Sequence, residues 1–310
     1  MSSVATDRSV RSLLKQGINL LRAANVPSFT LAAELLLLHV AGHNRTWLYA
    51  HPEEVLSLEV ANLYFSLIQR RASGEPTQHL TGKQEFWGLE FEVTPDVLIP
   101  RPETEHLIEV ALDRLTVREL RAGRPPRLSG NSLTLVDIGT GSGCIAISLA
   151  KELPDATVYA ADISAAALAV ARRNAARHGF SARIHFLESN LFEKFSPLAT
   201  RHSPLSFDLI VSNPPYIGRR TAETLAREVR DHEPEVALYG GEEGYEFYAG
   251  LVAQSYEFLK PGGLLVLELG HDSLPAVQPL LESRYWTNVG VTDDLAGIPR
   301  VLAAERISTP

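Results

Sequence analysis

The chain contains one cysteine, Cys144, and one methionine in 310 residues. A single cysteine excludes an intramolecular disulfide framework and any cysteine-cluster zinc or iron–sulfur centre, and it suits a reducing compartment. Lysine is scarce. None of the five precedes Ser or Thr, so the phosphate loop of nucleotide hydrolases is missing. Excess positive charge is also absent: 29 Lys and Arg face 37 Asp and Glu, a net charge of -8. That balance does not favour stable nucleic-acid binding. The ten histidines fall at no metal-ligand spacing, and His232-Glu233 runs into Pro234, Glu235 and Val236, so no metal is expected. The most apolar stretch, Leu31 to Ala41, carries Glu34 and is about half the ~20 residues of a membrane span, so no membrane association is expected. The N-terminus shows no basic head before an apolar stretch, which makes the expected location cytoplasmic. What remains is ordinary for a soluble globular protein: 45% hydrophobic and 21% charged residues, in a length suited to about two domains. A monomer is the default expectation.

Residues 1–72 read as wholly helical, with Leu13, Leu14, Ile18, Leu20 and Leu21 at helical spacing, followed by Leu31, Leu35, Leu36 and Leu38, then Leu63, Phe65, Leu67 and Ile68. This module carries seven Lys and Arg against five Asp and Glu, whereas the rest of the chain carries 22 against 32. A mildly positive helical module is expected to dock a partner. Residues 73–98 read as a linker: Gly74-Glu75-Pro76 marks a boundary, and Phe86 to Val93 alternates like a hairpin. Residues 99–310 read as one α/β domain. An amphipathic helix is predicted over about 104–120, and the Gly-, Pro-, Arg- and Ser-rich stretch 121–131 reads as a loop. Strands are predicted at Leu133–Ile138, Thr157–Ala161, Arg183–Leu187, Leu209–Ser212 and Leu264–Leu269, with helices at Cys144–Glu152, Ala165–Arg177 and Tyr245–Leu259. Strands alternating with helices predict a mostly parallel sheet covered on both faces.

The first of these strands ends in Asp137-Ile138-Gly139-Thr140-Gly141-Ser142-Gly143, and a helix follows at once. Glycines there permit a tight strand-to-helix turn and close approach of a ligand to the backbone. Asp162 ends the next strand, 23 residues beyond Gly139, where an acid can bind both hydroxyls of a ribose. Together they indicate a nucleoside-containing cofactor. The loop is G-x-G-x-G, with Cys144 where a dinucleotide fingerprint has its third glycine, which disfavours an NAD-dependent oxidoreductase. S-adenosylmethionine has no phosphates to cradle, and Asp137 suits the ammonium of its methionine end.

The strand Phe207–Ser212 runs into Asn213-Pro214-Pro215-Tyr216-Ile217. The two prolines make this exit extended and stiff and leave it poor in N–H donors. An amide oxygen, a fixed carbonyl and an aromatic ring placed together suit one task, the holding of a planar NH2 group. A conjugated nitrogen is a poor nucleophile because its lone pair is delocalised. Asn213 Oδ1 and the Pro214 carbonyl can accept both of its N–H protons and return electron density to nitrogen, while Tyr216 stacks on the planar group. A non-catalytic cofactor-binding scaffold would not need two aimed acceptors.

These residues resemble the amino-methyltransferase set of class I S-adenosylmethionine enzymes. Leu98-Ile-Pro-Arg-Pro-Glu-Thr-Glu, Glu233-Pro-Glu-Val-Ala-Leu-Tyr-Gly-Gly and Asp294-Leu-Ala-Gly narrow the likeness to one family, the HemK-type (PrmC) release factor glutamine methyltransferases. The resemblance covers nearly the whole chain. It implies a Rossmann-like methyltransferase domain and methyl transfer from S-adenosylmethionine to the amide of the glutamine in the Gly-Gly-Gln loop of peptide chain release factors. It further implies that Asp137, Ile138, Gly139, Thr140 and Gly141 hold the methionine end and Asp162 the ribose, while Asn190 and Leu191 border the adenine. Gly143, Ile163 and Asn213 complete the expected cofactor set. Asn213, Pro214, Pro215 and Tyr216 form the expected catalytic and substrate-binding set, which Arg101 joins, helped by Glu103 and Glu105. At position 190 the family commonly has an acid, and this chain has asparagine. The alternatives are methylation of a glutamine in a large-subunit ribosomal protein, or of an adenine amino group in nucleic acid. Cys144 and Gly240-Gly241 read as packing and turn residues.

Overall fold

The computed structural model describes residues 7–121, 133–195 and 205–308; the loop expected over 121–131 lies, beyond Arg121, outside the described residues. The chain divides into two compact units, Met1–Lys83 with Ala226–His232, and Gln84–Leu225 with Glu233–Pro310.

The first unit is helical: α1 (Val10–Ala23), α2 (Phe29–Ala41), α3 (Arg45–Ala50), α4 (Leu58–Ala72) and the short α5 (Thr77–Thr81), which the sequence reading did not include. Ser9, Asn44 and Ser57 start α1, α3 and α4 by accepting the N–H three residues on, which satisfies an otherwise orphaned helical donor. Leu13, Leu21, Leu36, Leu37, Tyr64 and Ile68 are fully buried in one cluster. The segment Ala226–His232 belongs here although its sequence neighbours do not. Arg71, itself buried on α4, reaches Glu228 through a guanidinium–carboxylate pair. Such a buried pair leaves an uncompensated charge if either partner is lost. Helix α1 crosses Tyr64 at Gly17, where an added Cβ would stand 1.9 Å from the tyrosine oxygen. Gly17→Ala is therefore expected to destabilise this unit by about 1–3 kcal/mol through overpacking. Urea unfolding followed by helical circular dichroism checks this, and an unchanged midpoint would contradict the close crossing.

The second unit begins with the predicted hairpin, β1 (Lys83–Phe86) and β2 (Leu89–Glu92). Trp87 and Gly88 both take positive φ, 53° and 69°, as a two-residue hairpin turn with the twist of its strands requires. Helix α6 (Glu105–Arg121) follows, and then the alternating elements β3 (Thr134–Ile138), α7 (Cys144–Glu152), β4 (Thr157–Asp162), α8 (Ala165–Arg177), β5 (Ile184–Glu188) and β6 (Phe207–Ser212). Two short strands, β7 (Ile217–Gly218) and β8 (Tyr239–Gly241), pair in parallel beside a helix at Glu246–Phe258. The chain then completes its main sheet with β9 (Leu259–Glu268), β10 (Trp286–Asp293) and β11 (Pro299–Arg306).

The order of that seven-stranded sheet is β10-β11-β9-β6-β3-β4-β5. β9, β6, β3, β4 and β5 are parallel, while β11 is antiparallel to β9 and β10 to β11. This is the mostly parallel, Rossmann-like architecture that the alternating pattern implied. The five predicted strands are all present, β9 starting five residues early at Leu259. β10 and β11 were not predicted, because β10 has a mostly exposed, weakly apolar pattern. Leu135, Val136, Leu209, Ile210, Val211 and Val266 have no exposed surface, as expected where helices cover both faces. One face packs against the hairpin, α6 and α7, the other against the helix Glu246–Phe258. The chain leaves β3 in one direction through β4 and β5, then returns to place β6 on its other side. The crevice at the carboxyl ends of β3 and β6 is therefore the switch point where such sheets bind ligands.

Candidate active site

A cavity of about 490 Å³ opens at that switch point. Of the predicted cofactor residues, Ile138, Gly139 and Gly141 from the β3 turn line it, with Asp162 and Ile163 from the end of β4. Asn190 and Leu191 after β5, and Asn213 and Pro215 after β6, complete the predicted part of the wall. Asp137, Thr140, Gly143, Pro214, Tyr216 and Arg101 do not line it.

Asp137 is fully buried behind the glycine turn. Its Oδ2 accepts from the Thr140 hydroxyl at 2.7 Å and from the Ala146 N–H at 3.2 Å, while Oδ1 is buried with no partner. Burial pushes its carboxyl up to about 7, against the lowering influence of those two donors. A buried carboxylate oxygen without a partner is costly unless something cationic or hydrogen-bonding reaches it. Gly143 is packed rather than open: at φ 83° it starts α7, and a Cβ there would meet the Ala171 and Ile147 side chains at 3.1 Å. Cys144 beside it is buried with its thiol pushed up to about 12, chiefly by burial, so it is no nucleophile.

Asp162 is held by two main-chain donors, Gly141 N–H to Oδ2 at 2.8 Å and Ser164 N–H to Oδ1 at 2.9 Å. Each oxygen keeps lone-pair capacity toward the cavity. Asn190 donates from Nδ2 to Glu193 at 3.0 Å, which turns its oxygen free to accept. Leu191 sits at φ 48°, a left-handed conformation that is strained for a leucine, in the wall of the cavity. Strain of this kind persists where the surroundings over-determine it.

The β6 exit is built from several directions. Ser212 donates to the Ile138 carbonyl at 2.6 Å, tying the end of β6 to that of β3. Asn213 donates from Nδ2 to Thr104 Oγ1 at 3.1 Å, and its Oδ1 is buried with no partner. The Tyr216 ring lies against Gly270, where a Cβ would come within 2.8 Å of it. The Pro215 carbonyl is met by Gly240, which explains that glycine. Arg101 pairs with buried Glu233 at 2.5 Å, and the other oxygen of Glu233 accepts from the Ile99 N–H at 3.2 Å. Glu105 accepts the Trp87 N–H at 2.7 Å, so it caps the hairpin turn.

Thr104, Ser212, Glu268 and Gly270 were not singled out from the sequence. Glu268 carried a signal: it is a carboxylate ending an apolar strand, and it is 1% exposed. Among the described residues no group of three or more His, Cys, Asp or Glu could hold a metal ion. No helix among them is long and apolar enough to cross a membrane.

Comparison with known proteins identifies the family. A family model described as the PrmC N-terminal domain matches residues 12–82, and one described as a methyltransferase small domain matches residues 126–241. The release factor glutamine methyltransferase of Koribacter versatilis is 44% identical, over 92% of this chain and 94% of that one. The enzyme of the same description from Nitratidesulfovibrio vulgaris is 40% identical over 96% and 95%. Among solved structures, the hMettl16 catalytic domain in complex with MAT2A 3'UTR hairpin 6 superposes with a TM-score of 0.55 at 17% identity, covering 78% of this chain and 82% of that one, a likeness of fold. With its family match, near-complete coverage and methyltransferase fold, this chain belongs to the release factor glutamine methyltransferase family.

Proposed function

We propose that the protein transfers a methyl group from S-adenosylmethionine to the side-chain amide nitrogen of the glutamine in the Gly-Gly-Gln loop of peptide chain release factors. The observation that carries this reading is Asn213, whose NH2 is anchored on Thr104 while its buried oxygen has no partner. An acceptor held in place and left unsatisfied is what a primary amide N–H needs. The Pro214 carbonyl would take the second N–H, and Tyr216 would hold the angle of the amide plane. Two fixed acceptors localise electron density on nitrogen without any ionised base.

The residues present fit the cofactor. The unpaired Oδ1 of Asp137 suits the ammonium of the methionine end, Gly139 and Gly141 leave room along the turn, and Asp162 keeps acceptor capacity for the ribose. The Asn190 oxygen would accept from the adenine amino group. When bound, the cofactor supplies a methyl group on a sulfonium; the net exchange replaces one amide N–H by N–CH3, leaves a thioether and releases a proton.

Methyl transfer from labelled S-adenosylmethionine to a purified release factor, beside the same factor with its loop glutamine changed to alanine, tests the substrate. Label on the first alone is expected, and label on neither or on both would overturn the assignment. A second expectation concerns pH. With Asp137 raised to about 7 by burial, a cation placed beside it favours the ionised form. Cofactor binding should then release a proton below about pH 7, and affinity should fall as the pH drops through that value, by at most about tenfold per pH unit. Calorimetry in two buffers of different ionisation enthalpy reads the released proton directly.

A further inference from the structure

Leu295 stands apart from the other large apolar side chains among the described residues. It is 98% exposed, whereas Tyr49 and Val55, the next in order, are 63% exposed. A lone surface leucine needs no explanation on a loose chain. Here the chain is held. The Asp294 N–H donates to the Ile298 carbonyl at 2.8 Å, and the Gly297 N–H to the Asp294 carbonyl at 2.9 Å. Asp294 Oδ1 also accepts from the Ala296 and Ile298 N–H groups, at 2.9 and 3.0 Å. Its Oδ2 takes the Arg300 guanidinium at 3.0 Å, in a pair whose side chains are only 6% and 13% exposed. Arg300 Nη1 donates to the Leu269 carbonyl at 3.1 Å, and the Leu269 N–H to the Arg300 carbonyl at 2.7 Å, so the turn is pinned to the chain that leaves β9. A leucine displayed on so fixed a turn has met the cost of ordering its backbone before any partner arrives.

The place of the turn says what that partner is. Register sets Ser212 beside Leu267, Glu268 beside Val301 and Asp293 opposite Pro299. The β6 exit, the end of β9 and the β10–β11 turn therefore share one edge of the sheet. β11 lies two strand spacings from β6, about 10 Å, which about three residues of extended chain can span. Gly270, next after Leu269, packs against the Tyr216 ring. A protein loop that presents a glutamine amide at Asn213 thus passes its flanking residues within reach of Leu295. The chemistry of the turn selects protein over nucleic acid. Residues 293–299 carry two acids and no Lys or Arg, and the charge of Arg300 is taken by Asp294, so a phosphate backbone finds no cation there. We propose that Leu295 is a docking residue for the release factor, an apolar knob that seats in an apolar recess beside the Gly-Gly-Gln loop, an inference that rests on the proposed function. The Asp294-Leu-Ala-Gly segment, which the cofactor and amide sites leave unused, thereby acquires a role in the choice of substrate protein.

The test measures kcat and KM for label transfer to a release factor, with the Kd of the release factor and of the cofactor by calorimetry, in three variants. Leu295→Ala removes most of the knob and should raise KM and the release factor Kd about tenfold. Leu295→Asp sets a charge against an apolar recess and should raise both by more than that. Leu295→Met keeps an apolar side chain of similar volume and should stay within about threefold of wild type. In all three, kcat at saturating release factor and the cofactor Kd should remain within about twofold, because the turn touches the substrate protein and not the reacting atoms. Leu295 is solvent-exposed, so the variants should fold as wild type does. Wild-type KM and release factor Kd in Leu295→Asp would overturn the proposal. So would a fall in kcat or in cofactor affinity at unchanged KM, since the turn would then act by shaping the site. If the wild-type enzyme leaves the release factor unlabelled, the proposed function itself fails and takes the docking role with it; normal labelling by both wild type and Leu295→Asp sinks the docking role alone.

Discussion

Asn213→Ala is expected to lower methyl transfer to a release factor by about 10²–10³-fold while leaving cofactor affinity within about threefold of wild type. The split follows from the two faces of the residue. Asn213 contributes to the cavity wall, but so do Ile138, Gly139, Gly141, Asp162 and others, so removing one amide leaves most of the cofactor's surroundings intact. Its Oδ1 is different, because it is buried, unpartnered and turned away from the anchor at Thr104. On the proposed function, deleting it removes one of two acceptors held for the substrate amide. The loss is greatest where nitrogen must gain electron density, which is during transfer and not during binding. Single-turnover label transfer beside calorimetric titration checks this, and parallel loss of both would mean that Asn213 mainly shapes the cavity.

The second large effect is expected at Gly240, which never meets substrate or cofactor in this reading. A Cβ there would lie 2.2 Å from the Pro215 oxygen and 2.7 Å from the Gly244 oxygen. Both are main-chain atoms, and those of Pro215 are stiffened by the Pro-Pro sequence. The β7–β8 pairing of Ile217 with Tyr239 leaves little slack on the other side. Gly240→Ala must displace the Asn213–Tyr216 exit by a sizeable fraction of an ångström or more, and misplacement on that scale costs about 10² in rate. We therefore expect kcat to fall about a hundredfold in a protein that still melts cooperatively. Wild-type kcat in a folded Gly240→Ala protein would show that the exit tolerates such movement.

Much of the site was legible because its residue types are unusual for their places. Asn213-Pro214-Pro215-Tyr216 is a poor way to end a strand unless the carbonyls and the amide are wanted, and the Asp137 to Gly143 turn is a poor start to a helix unless something must come close. The supporting residues were hidden. Thr104 lies within the quoted Pro-Arg-Pro-Glu-Thr-Glu segment, yet a threonine after two acids looks like any helix start. Arg101 is spoken for by Glu233, 132 residues later, a pairing that spacing does not reveal. The segment Ala226–His232 belongs with the helical unit through Glu228 and Arg71, whereas hydrophobic periodicity ran on past it as part of the α/β domain.

The sequence by itself determined the alternation of strands and helices, the parallel sheet, the glycine turn with its two acids and the stiff Asn213–Tyr216 exit from β6. Each of those depends on local backbone chemistry or on a period of apolar residues, which a chain carries in its own order. The tertiary structure decided the strand order that sets β6 against β3, the antiparallel β10 and β11, and the burial of Asp137 and Glu268. It also decided that Thr104, far away in sequence, meets the Asn213 amide. These depend on which distant groups share a low-dielectric interior, where every donor must find an acceptor and a charge must find its partner.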